Sequence, residues 1–74
     1  MGATSRSRMK QNTWEFVRDD DGTYSVFHRG ELLRGSIPER WFEREVCVRW
    51  GFCQSELVEI QRQIAVSGRA TITL

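Results

Sequence analysis

TWEFVRDDDGTYSVFH, residues 13–28, is the stretch that decides the fold. Two runs rich in β-formers, Thr13–Arg18 and Thr23–His28, flank the acidic turn Asp19-Asp20-Asp21-Gly22. Trp14 and Phe16 share one face of the first run, and Tyr24, Val26 and His28 share one face of the second. Alternation with a period of two marks a half-buried strand. Asp-Gly between two such runs marks a hairpin, because Gly accepts the positive φ that the turn demands. Arg29-Gly30 reads as a second tight turn, followed by a short third strand at Glu31–Arg34. Residues 13–34 therefore predict a three-stranded antiparallel meander.

After the meander, Gly35-Ser36-Ile37-Pro38 stops the sheet and opens a helix. Ser36 has the chemistry of an N-cap, Pro38 falls early in the first turn, and Glu39 stands three residues after the cap. Trp41, Phe42, Val46 and Trp50 recur at roughly helical spacing, with Glu39, Arg40, Glu43 and Arg44 on the other side. The stretch 45–50 also alternates and holds two β-branched residues, so a strand there is the competing reading. Gly51 ends this element, and Gln54-Ser55 offers a cap for a helix over 56–66. Leu57, Ile60 and Ile64 form its apolar stripe, Glu59, Arg62 and Gln63 its wet side, and Ser67-Gly68 its stop. Residues 69–74 alternate again through Ala70, Ile72 and Leu74, giving a last strand. The order β-β-β-α-α-β predicts an α+β fold, a small antiparallel sheet of meander plus C-terminal strand packed by two helices.

On the other side of the meander, residues 1–12 (MGATSRSRMKQN) have no hydrophobic period and read as a disordered basic tail preceding a single domain over 13–74. Met9-Lys10 looks like a natural bacterial start. Arg6, Arg8 and Lys10 account for three of the eleven cations, so the rest of the chain sets eight Arg against ten acids, a net of −2 (8 − 10). The body is not basic, which weighs against phosphate binding. Hydrophobic residues at 39% and charged residues at 28% are the balance of a globular domain. No uninterrupted apolar run exceeds three residues, too short for a membrane span or a secretory signal, so the expected compartment is the cytoplasm, with Cys47 and Cys53 reduced.

Chemistry-bearing residues are sparse. One His and two Cys at unfamiliar spacing do not make a zinc site, so no metal or other cofactor is expected. His28, beside a tight turn with Arg29 and Glu31, reads as a strand-end histidine rather than a general base. Asp19, Asp20 and Asp21 lack the alternate ligands and distal Glu of a calcium loop and read as a solvated hairpin tip. No glycine-rich phosphate loop opens a helix. The chain is thus read as a non-enzyme.

Two binding classes remain. A nucleic-acid regulator would use Arg6, Arg8, Lys10, Arg29 and Arg34 as a basic strip, with Trp14, Phe16 and Tyr24 stacking bases on the sheet. A protein-interaction or accessory domain would use Trp41, Phe42 and Trp50 as anchors with Arg40 and Arg44 as the polar rim, since Trp and Arg dominate interface hot spots. Three Trp, four Phe and one Tyr exceed what one thin helix–sheet layer readily buries. A chain this short, without disulfide or metal, gains from a partner subunit. Self-association, as a homodimer, is therefore the favoured reading and nucleic-acid binding the alternative.

Overall fold

The computed structural model describes residues 12–74. β1 (Thr13–Arg18), β2 (Tyr24–His28), β3 (Glu31–Ile37) and β4 (Arg69–Thr73) form one antiparallel sheet in the order β3-β2-β1-β4. The α+β architecture and the element order are those the alternation and helical periods predict.

The meander closes as its turn residues dictate. Gly22 takes φ +86°, and the Asp21 carboxylate accepts the backbone N–H of Thr23 at 3.0 Å and its hydroxyl at 2.7 Å. In the second turn Arg29 and Gly30 both have positive φ, +55° and +83°, the signs a two-residue type I′ connection requires. Cross-strand pairs Phe16–Val26 and Phe16–Ala70 then place three fully buried side chains in one row across β2, β1 and β4.

Helices cover the face that carries Trp14, Phe16, Tyr24 and Val26. The first, α1 (Glu39–Arg44), runs without a break into a π-helical turn at Glu45–Arg49; the second is α2 (Gln54–Ser67). Leu57, Ile60 and Ile64 of α2 are buried, as their spacing predicts. Gly68 ends α2 at φ +83°, its N–H bonded to the Ile64 carbonyl at 2.7 Å.

Several expectations need correction. β3 runs three residues past the expected Arg34, because Ile37 pairs with Tyr24 and is 1% exposed. Burial of that side chain holds Ser36 in the strand, at φ +56°, and moves the N-cap to Pro38. The 45–50 stretch is neither α-helix nor strand. Its i→i+5 turn, with the Trp50 N–H on the Glu45 carbonyl at 3.2 Å, keeps Val46 wholly buried and leaves Val48 outside. Cys53, not Gln54 or Ser55, caps α2, its N–H donating to Glu56 Oε1 at 2.8 Å. Asn12, placed in the tail by sequence, belongs to the folded body, where its carbonyl accepts the Leu74 N–H at 3.1 Å. Residues 1–11 lie outside the described residues, and with them most of that tail.

The aromatic surplus is absorbed by the fold, contrary to the expectation from ring count. Phe52 meets Trp14 edge-on at 5.0 Å and Phe16 at 5.6 Å; Phe16 meets Phe42 at 6.0 Å; Phe42 stacks on Tyr24 at 4.3 Å. Edge-to-face and offset contacts of this kind fill space densely. They let a thin two-layer fold bury more ring area than an aliphatic count suggests, with Cys47 and Cys53 both free. Of the rings, only Trp41 stays exposed.

Candidate protein-interaction site

A four-stranded open sheet has two edges, and they differ. The β1–β4 ladder is bracketed by Arg18 N–H to the Gly68 carbonyl at 2.9 Å and Leu74 N–H to the Asn12 carbonyl at 3.1 Å. That phase turns the backbone groups of Arg69, Thr71 and Thr73 outward. Two of them are occupied from α2. The Gln63 side-chain carbonyl accepts the Thr71 N–H at 3.0 Å, and the Ser67 hydroxyl donates to the Arg69 carbonyl at 3.2 Å. Gln63 is held in turn by its Nε2 donating to Glu59 at 2.9 Å, and Arg62 grips the same carboxylate at 2.7 Å. These bonds hold the Glu59 carboxyl below the usual carboxylate range, Arg62 first and Gln63 second.

Among the described residues, no side chain or strand caps the outer edge of β3. Leu32 and Leu33 lie on it, 58% and 45% exposed, and Trp41 of α1 stands beside it at 41%. Arg34, Pro38, Trp41, Glu45 and Arg49 line a shallow depression of about 350 Å³ there. Glu45 is nearly buried and is gripped by Arg49 at 2.6 Å and, more loosely, by Arg34 at 3.7 Å. One carboxylate between two guanidinium groups leaves this patch positive. The Arg44 guanidinium lies 5.4 Å from the Trp41 ring centroid, within cation–π range, and limits the ring's freedom. The strand carries two register shifts against β2, so it is bulged.

The predicted interface residues divide. Trp41, Arg40 and Arg44 are on the surface; Phe42 is 3% exposed and belongs to the core; Trp50 is half-buried against Trp14 at 6.0 Å. Phe42 and Trp50 are thus occupied by the fold itself. Of the predicted nucleic-acid contacts, Arg29 sits exposed in the β2–β3 turn and Arg34 is tied to Glu45, while Arg6, Arg8 and Lys10 lie outside the described residues. Trp14, Phe16 and Tyr24 face the helices and are buried, so the sheet offers no stacking platform from them. Sequence reasoning missed Leu32 and Leu33. Their adjacency was the signal, since two neighbouring leucines on a regular strand point to opposite faces and the helices cover only one of them, although the register shift between Val26 and Phe27 breaks that alternation here.

Elsewhere the polar groups serve the fold. His28 stacks on Trp14 at 4.0 Å, and its Nε2 lies 2.8 Å from Asn12 Oδ1, which also accepts the Trp14 indole N–H at 3.1 Å. Gln61 spans the gap between α2 and α1, donating to Glu43 at 3.4 Å above a depression of about 310 Å³. Among the described residues no group of His, Cys, Asp and Glu is arranged to hold a metal, and no helix is long and apolar enough to cross a membrane. Comparison with protein-family models, with curated proteins and with solved structures finds no match for this chain.

Proposed function

We propose that this chain is a non-enzymatic protein-interaction domain that associates with a second copy of itself. The observation that supports it is the asymmetry of the sheet: Gln63 and Ser67 take two of the outward backbone groups of β4, whereas among the described residues none caps β3, which is flanked by exposed Leu32, Leu33 and Trp41. An edge strand with unpaired backbone groups is a template for another strand, and a neighbouring Trp supplies the anchor that main-chain bonds lack. The non-enzymatic part is supported by His28, the chain's one histidine, being engaged by Trp14 and Asn12. Two free thiols, Cys53 exposed among them, suit the reducing cytoplasm of a bacterium.

Sedimentation equilibrium from low micromolar upward, with melting at each concentration, tests this. The expected result is a mass rising from 8.7 kDa toward twice that, with the melting temperature rising in step as mass action favours the folded dimer. A constant mass and a constant melting temperature over that range overturn it.

A further inference from the structure

We infer that the second copy joins through β3 itself, antiparallel to the first β3 and with a twofold axis passing between Leu32 and Leu33, so that two four-stranded sheets become one of eight. This rests on the self-association proposed above and specifies its surface and register.

The charge pattern of the strand selects the register. Glu31 pairs with His28 and Arg34 with Val26 across β2, so both side chains project from the helix-covered side of the sheet. They are opposite charges on one strand, with Leu32 and Leu33 between them. Two antiparallel copies centred between those leucines set Glu31 of each opposite the partner's Arg34, twice by symmetry. Directly opposed residues in an antiparallel pair lie on the same face, which is the condition these two side chains meet. Shifting the centre by a residue loses both pairs. The interface is self-complementary, as a twofold contact has to be.

The apolar residues follow the same axis. Leu32 comes beside the partner's Leu33, where both side chains leave water together. A twofold perpendicular to the sheet keeps both helical layers on one side. Trp41, beside Arg34 in the depression at this edge, then approaches its counterpart across the axis. Arg34 is held to Glu45 at only 3.7 Å, with its side chain half exposed, so its guanidinium has donors left for the partner's Glu31. On β4, two of the outward backbone groups are already taken by Gln63 and Ser67.

Charge reversal tests the register apart from the association. Glu31→Arg and Arg34→Glu each set like charges opposite one another twice, and each is expected to weaken the homodimer at least about tenfold. Mixed in equal amounts, the two variants restore both attractive pairs, so a heterodimer is expected to form as tightly as the wild-type dimer, read by sedimentation equilibrium with one variant labelled. Leu33→Lys, at a position 45% exposed, provides a second disruption that leaves Glu45 paired. If the wild type is a dimer and neither Glu31→Arg nor Leu33→Lys weakens it, β3 is not the interface, although self-association stands. If the single variants dissociate and their mixture stays monomeric, the register is wrong. If the wild type is itself a monomer, this inference and the proposal beneath it both fall.

Discussion

Gln63 Oε1 and the Thr71 backbone N–H lie 3.0 Å apart, and together with the Ser67 hydroxyl on the Arg69 carbonyl this hydrogen bond makes the two edges of the sheet unequal. Gln63→Ala is expected to cost about 0.5–1.5 kcal/mol, the usual net worth of such a bond. Hydrogen exchange gives the sharper readout, since the Thr71 amide should lose protection while Ala70 and Ile72, bonded to β1, keep theirs. A dimer closed on β3 would also gain a second sticky edge, so light scattering at high concentration is expected to report chains longer than two copies.

Ile60 is fully buried in α2 beneath the sheet. Ile60→Ala is expected to cost about 2–5 kcal/mol by chemical denaturation. In so small a domain that is most of the stability. Val66→Ala, on a side chain 79% exposed, should change it by less than about 0.5 kcal/mol.

Arg29 and Ser36 hold positive φ without being glycine. For an L-residue the left-handed region costs roughly 1–2 kcal/mol. Arg29→Gly and Ser36→Gly are therefore each expected to raise the melting temperature, offset in part by the larger entropy glycine has in the unfolded chain. Asn at position 29, which tolerates this geometry, should do the same without that offset. A lower melting temperature for Arg29→Asn would show that the Arg side chain makes a contact worth more than the strain.

The Asp21 carboxyl is held below its ordinary range by the Thr23 hydroxyl and then by the Thr23 N–H. A group whose folded pKa is depressed contributes stability above its unfolded pKa, near 3.9, and that contribution is lost as pH falls through the folded value. Wild type and Asp21→Asn should therefore differ most at neutral pH and converge in acid. Parallel curves of melting temperature against pH would show that the charge on Asp21 contributes nothing to the turn.

The fold was legible because its decisive signals are local. Trp14–Phe16, Tyr24–Val26 and the Leu57–Ile60–Ile64 stripe announce their faces by spacing alone, and the turn glycines fix the hairpins. What was not legible depends on distant partners. Ser36 looks like a cap until Tyr24, twelve residues upstream, draws Ile37 into the sheet. Phe42 looks like an anchor until Phe16 and Tyr24 are seen to enclose it. The difference between the edges is least visible of all, because it lies in side chains of α2 reaching backbone groups of β4, and a side chain's target leaves no trace in spacing. Of the three rings read as anchors, Trp41, Phe42 and Trp50, only Trp41 stays exposed, and nothing in their spacing separates it from Phe42.

The bond from the Leu74 N–H to the Asn12 carbonyl brings the two ends of the folded body to one corner, along the β1–β4 ladder. That corner lies across the width of the sheet from β3. A unit whose entry and exit are neighbours can be spliced into a loop of a host protein without stretching it, or joined end to end and reopened at the exposed Asp20-Asp21 tip. Either rearrangement preserves every strand pair and leaves the Leu32–Leu33 edge facing outward. A cargo joined at this corner therefore sits on the opposite side of the sheet from the Leu32–Leu33 edge.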